Sequence, residues 1–289
     1  MKKITKYVLL IISIFTLSIF TTGCGNDEMD GIDIAVTNYA NEYIVDRLYG
    51  KHAKITSIYP DGVDTSTYKL SKKQKEEFSK YGIFVYNGLI ESERNVAIDL
   101  LNINPNLKII DTAYILETAY SPEELWLNPS SLLMMSQNVK NGLLEYVEST
   151  YLHKEIEDNY NQLKIDLSTL DVEYRDAIRE AEDKNIVVDD SALKYLEKLG
   201  LTVYCIDDTA TDKLLVETED LIKNKKVSYI ITFKNNDQSN NSKDMIGKHS
   251  EIKTLELHKL DVLTDEERDE KKDYLTIMED NLNLLRQEL

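Results

Sequence analysis

Acidic residues outnumber basic ones 52 to 34 in this chain of 289, giving a formal charge of −18. Such a surface repels nucleic acid and anionic lipid headgroups. Two cysteines are too few for a disulfide framework, and the length suits two lobes better than one small core.

The chain opens with Lys2, Lys3 and Lys6, followed by an apolar run from Val8 to Phe20 that is short for a membrane span. Thr21, Thr22 and Gly23 then lead into Cys24. This pattern predicts a secretory signal over residues 1–23 with a lipobox-like end, although Thr21 stands where an aliphatic residue is commoner. Cys24 is then the expected mature N-terminus, its thiol carrying lipid that holds the protein at a membrane face. Removing Lys2, Lys3 and Lys6 with no acid moves the formal charge from −18 to −21. Residues 24–31 form a short polar tether.

IDIAVT reads as a strand, and NEYIVDRLYG as a helix with Tyr43, Ile44, Leu48 and Tyr49 on one face. AKITSIY is a second strand, followed by a turn at PDGVD. SKKQKEEFSKYG predicts a helix capped by Ser71. GIFVYNG and LKIIDTA are further apolar strands. No strand signal appears from Pro129 to Glu182. Within that stretch Ile156, Tyr160, Leu163, Leu167, Leu170, Tyr174 and Ile178 alternate spacings of four and three, one stripe along a straight helix over roughly residues 155–181. Strand and helix then alternate again: NIVVDD, the helix SALKYLEKLG, LTVYCI, the helix TATDKLLVETEDLIKNKK, VSYIITF and KTLELHKL. DYLTIMEDNLNLLRQEL closes the chain as an amphipathic helix. The expected fold is therefore α/β, two lobes with central, mainly parallel sheets joined by one long rigid helix. The lobes span 32–150 and 183–289, and the connecting helix 151–182.

Cys205 lies in the apolar run LTVYCI and reads as a buried, inert thiol. His52, His153, His249 and His258 are isolated among polar residues and read as surface positions. No phosphate-cradling loop, nucleophile elbow or H-E-x-x-H motif is present.

GVDTSTYKLSKKQ, YGIFVYNGLIE, PEELWLNPSSLLMMSQNVKNGL, VVDDSALKYLEKLGL and DYLTIMEDNLNLL follow one another in that order. With these segments the chain resembles, over nearly its whole mature length, the solute-binding lipoproteins of ABC importers for zinc and manganese, of the cluster A-I type. The resemblance implies a helical-backbone periplasmic-binding-protein fold, a metal held between the lobes and an ABC permease as partner. It further implies a monomer anchored on the extracytoplasmic face of the cell membrane, with no enzymatic activity.

The family's first histidine belongs in a segment like G-V-D-P-H-T-Y, where this chain has Ser66. The second precedes V-W-L-D-P and becomes Glu124. The third ligand falls on Asp190 in DDSALKY, and the fourth, an aspartate ahead of the last helix, on Asp273. The family's histidine-rich loop is absent from TAYILETAYSPEE. A site of Ser66, Glu124, Asp190 and Asp273 offers oxygen donors alone, which suit manganese or another hard ion better than a histidine site does. Asp190 and Asp273 could equally cap the helices that follow them. Three readings stay open for the cleft: a divalent cation, a different small ligand, or no ligand. In the last case the chain would be a degenerate family member acting as a surface interaction or adhesin lipoprotein. An enzyme using Glu124 and Asp190 as acid and base has no supporting motif.

Overall fold

The computed structural model describes residues 31–234 and 236–289. Cys24 and the leader lie outside the described residues. The first sheet contains β1 (Ile32–Val36), β2 (Ala53–Ser57), β3 (Ile83–Tyr86) and β4 (Lys108–Asp111), all parallel, in the order β2-β1-β3-β4. Its crossovers carry helices α1 (Tyr39–Tyr49), α2 (Lys72–Phe78) and α3 (Glu91–Ile103). A parallel strand covered on both faces reads as an unbroken apolar run, and all four residues of IFVY in β3 are buried. Ser71 caps α2 in a reciprocal capping box with Gln74, as the sequence predicts.

A short helix, α4 (Glu124–Leu127), and then α5 (Pro129–Tyr146) lead into the connecting helix α6 (Thr150–Glu180). Its 31 residues span about 46 Å at 1.5 Å each. It starts at Thr150 rather than near residue 155, because Ser149 supplies the cap by accepting from the Leu152 amide. Ile156, Leu163, Leu167, Leu170, Tyr174 and Ile178 of the predicted stripe are buried, and Tyr160 packs at the cluster's margin.

The second sheet repeats the first topology. β5 (Asn185–Val188), β6 (Thr202–Cys205), β7 (Tyr229–Phe233) and β8 (Lys253–Leu257) are parallel in the order β6-β5-β7-β8. Between β5 and β6 the expected α-helix is a 3₁₀ segment, Ser191–Leu199. Its buried pairs Ala192/Tyr195 and Leu193/Leu196 are three residues apart, the spacing that aligns on one side at three residues per turn. Helices α7 (Asp212–Lys223) and α8 (Asn240–Lys248) complete the crossovers, and α9 (Asp265–Asp269) and α10 (Tyr274–Leu285) end the fold.

One hydrophobic cluster runs from Ile34 and Ile83 of the first sheet through α6 to Ile186 and Ile231 of the second. Behind the interlobe cleft the lobes are sealed directly. Tyr43 stacks on Tyr274 with ring centroids 5.2 Å apart, and Tyr274 Oη donates to the Trp126 carbonyl at 2.7 Å. Arg268 spans Glu42 (2.7 and 2.9 Å) and Asp61 (2.6 Å). Cys205 is buried as expected, and burial pushes its thiol up to about 12. His249 and His258 are also buried, contrary to the surface reading of the histidines. A carboxylate accounts for His258, with Glu267 3.2 Å from its Nε2, whereas His249 lies 3.6 and 3.5 Å from Glu219 and Glu251 and its Nε2 is buried without a hydrogen-bond partner among the described residues.

Candidate metal site in the interlobe cleft

Parallel α/β sheets bind ligands beyond the carboxyl ends of their strands, where the strand order reverses. Here both sheets point those ends at one cleft of about 720 Å³. Asn38 enters it after β1, Tyr59, Asp64 and Ser66 after β2, and Glu91 and Glu93 from the start of α3. Glu123 enters ahead of α4, Asn236 and Asp237 after β7, and Lys259 and Asp261 after β8. Among the described residues lining the cleft, six are acids and one, Lys259, is basic.

Of the four residues carried over by resemblance, Ser66 lines this cleft, Asp190 reaches its edge through Lys259, and Glu124 and Asp273 are not brought to it. Ser66 lines it, with its hydroxyl donated to Asp64 Oδ1 at 2.6 Å and its amide to the same oxygen at 2.9 Å. These bonds, led by the Ser66 hydroxyl, hold the Asp64 carboxyl below its usual range. Asp190 caps the 3₁₀ segment by accepting from the Ala192 amide at 2.8 Å, and its other oxygen takes Lys259 Nζ at 3.2 Å. Glu124 is buried away from the cleft. Its Oε1 accepts from the Ala119 amide, and Oε2 lies 3.8 Å from Lys198 Nζ. The acid that faces the cleft is its neighbour Glu123, because successive residues at a helix start point in different directions. Asp273 caps α10 by accepting from the Thr276 amide at 2.9 Å and lines a separate cavity of about 370 Å³ with Tyr39, Glu42 and Arg268. Among the described residues, no three His, Cys, Asp or Glu side chains are grouped to hold a metal ion.

Besides Glu123, the cleft residues Glu93, Lys259 and Asp261 escape the sequence reading. Glu93 is buried at the floor, where its carboxyl takes the Thr37 hydroxyl at 2.6 Å, the Asn87 amide at 2.7 Å and Asn38 Nδ2 at 3.3 Å. Burial pushes its pKa up to about 7 despite these donors. Lys259 and Asp261 flank Leu260, which is buried and holds φ at +62°. A branched residue in the left-handed region is strained, and this turn is held by its surroundings. His258 Nδ1 accepts from the Leu260 amide at 2.8 Å, so the ring proton lies on Nε2, facing Glu267. Burial keeps His258 below an ordinary histidine pKa, against the pull of Glu267. Asn281 exchanges two hydrogen bonds with the His258 backbone, and Trp126 Nε1 donates to the Lys259 carbonyl at 2.8 Å.

The side chain of Lys259 is 15% exposed and its ammonium lies 3.2 Å from both Glu123 Oε1 and Asp190 Oδ2. Burial works against this charge, but the two carboxylates outweigh burial and raise its pKa. Burial also raises the pKa of Asp261, with Lys259 and the Val262 amide opposing. The position of HKLD directly after the last strand was the available signal for both residues, since carboxyl ends of parallel strands supply ligand contacts.

The family described as "ZnuA: Zinc-uptake complex component A periplasmic" matches residues 34–288. The zinc-binding lipoprotein AdcA of Streptococcus pneumoniae is 25% identical over 316 residues, covering 99% of this chain. The chain spans 61% of the length of that relative. Among solved structures, the Zn(II)-bound ZnuA-like domain of the same AdcA superposes with a TM-score of 0.74 at 22% identity, over 89% of this chain and 98% of that one. The metal-dependent lipoprotein YcdH of Bacillus subtilis gives 0.76 at 20% identity, over 89% and 99%. These superpositions establish the two-lobed, helical-backbone binding-protein fold.

Proposed function

This chain belongs to the zinc-uptake complex component A family, and from that premise we propose that it is the extracytoplasmic solute-binding lipoprotein of an ABC importer. It takes a divalent metal ion between its lobes and delivers it to a permease, with no bond made or broken. It works as a monomer tethered through lipid on Cys24.

The observation that supports this most is the cleft itself, where the carboxyl ends of two parallel sheets face each other across six acids among the described lining residues. Such a cavity attracts cations and disfavours anionic cargo. Ser66 and Asp190 remain donors in this reading, with Glu123 and Asp261 in place of Glu124 and Asp273. The relatives are named for zinc, which favours zinc among divalent ions and runs against a preference for manganese. Yet the histidines lie elsewhere, and oxygen donors forgo the imidazole that distinguishes zinc from harder ions. Zinc therefore stays the stronger binder, with its advantage over manganese narrowed. A second reading, a metal-free interaction lipoprotein or a receptor for another small ligand, draws support from Lys259, whose ammonium already satisfies Glu123 and Asp190.

Elemental analysis of protein purified without chelator, followed by calorimetry with Zn²⁺, Mn²⁺ and Ca²⁺, separates the two. One ion per chain is the expected result, and no heat with any ion favours the second reading. Cys24→Ala should move the protein from the membrane fraction to the medium. Retention at the membrane after loss of residues 1–23 would rule out the anchor.

A further inference from the structure

The cleft contains a cation of its own. Lys259 lies at equal distance, 3.2 Å, from an acid ahead of α4 and an acid after β5, so its ammonium bridges the two lobes where a bound metal ion would do so. Its backbone is not that of a surface lysine. The left-handed turn at Leu260, the His258 ring and the Trp126 indole fix the backbone around Lys259, and the Phe233 ring lies 5.6 Å from the ammonium. Strain held in place by several partners marks a position that the fold specifies.

We propose that Lys259 is a tethered competitor for the metal position, so that cargo capture is the exchange of one ammonium for one divalent ion between Glu123 and Asp190. This deepens the metal-capture reading and rests on it. The exchange balances without a co-reactant: the ammonium keeps its proton, swings out on its four-carbon stem, and the two carboxylates transfer from N–H donors to the ion. Charge dictates the exclusion. An ammonium and a divalent ion cannot share two carboxylates at close range, because like charges repel strongly in a partly buried site. The consequence is selectivity by threshold. An ion must bind the freed oxygens well enough to displace the lysine, and the same lysine returns to help expel the ion on release.

The test measures Zn²⁺ and Mn²⁺ affinity by competition with a chromophoric chelator, on wild type, Lys259→Met, Lys259→Gln and Lys259→Arg, each checked for folding by circular dichroism. Methionine and glutamine should each tighten both ions at least tenfold, and arginine should stay near wild type. Unchanged or weaker binding in folded Met and Gln variants overturns the proposal, while a wild type that binds one ion leaves the metal-capture reading intact. A wild type that binds nothing beside a Met variant that binds one ion overturns capture by the native chain and the exchange with it, because the lysine is then a permanent block that no ion displaces. No binding in either overturns both. In wild type, amine acetylation followed by mass spectrometry gives a second readout. Bound Zn²⁺ should raise labelling of Lys259 several-fold, and protection of Lys259 by the ion would overturn the exchange.

Discussion

Along the seam behind the cleft, Tyr43 lies on Tyr274, Tyr274 reaches the Trp126 carbonyl, and Arg268 satisfies Glu42 and Asp61 together. Across the cleft the same two lobes face each other over about 720 Å³ with six acids and one lysine among the described lining residues. The seam uses large apolar rings and matched charges, and so stabilises. The cleft buries the Glu93 carboxyl at its floor against its charged form, and so costs stability. The difference shows that a binding protein of this fold can hold its lobes together in one place and keep an unfavourable, cation-seeking surface in another.

The largest effect should come from breaking the seam. Tyr274→Ala removes a fully buried ring and the bond to Trp126, and should cost about 3–5 kcal/mol in denaturant titration. A loss under about 1 kcal/mol would mean that the seam does not join the lobes.

Glu93 tests the cost of the cleft. Its pKa of about 7 in the folded state exceeds the ordinary 4.5. The stability it contributes is therefore fully present below about pH 4.5 and is lost as pH rises through 7. Asp111 adds to the upward shift. Glu93→Gln removes the titration, so its stability relative to wild type should rise by roughly 3 kcal/mol between pH 4.5 and 8. A constant difference across that range would show that Glu93 is ionised in the fold without penalty.

How much of this was legible in the sequence depended on what each feature needs. The inner strands β3, β5 and β7 could be read because strands buried on both faces are apolar nearly throughout, and the edge strand β8 because its buried Leu255 and Leu257 alternate with exposed residues. The α6 stripe could be read because its period is helical. The ligand set could not, because side-chain direction at loop ends is not carried by spacing. Glu123 and Glu124 are adjacent, and only the structure shows which one turns inward. Asp190 and Asp273 were ambiguous between cap and ligand, and both serve as caps, Asp190 also holding Lys259. Lys259 owes its place to a left-handed turn at a leucine, where no glycine or asparagine announces it.

A smaller break in the seam is Arg268→Ala. It leaves Glu42 and Asp61 without their shared cation, but a third of the arginine reaches solvent. The expected loss is about 1–2 kcal/mol, diminished by salt. Ser66→Ala, on the cleft's exposed rim, should change stability by less than about 0.5 kcal/mol in the same titration. A larger loss would make the Asp64 turn part of the scaffold rather than of the binding surface.

The stripe along α6 also determines how this molecule comes apart. Ile156 to Ile178 belong to one cluster with strands of both sheets, so neither half can melt without wetting the side chains on which the other half rests. Heat should therefore be absorbed in one peak with equal calorimetric and van't Hoff enthalpies, despite the two-sheet design. The slowest amides to exchange with deuterated water should lie along α6 and in the central strands β1 and β5, opening only when the whole chain does.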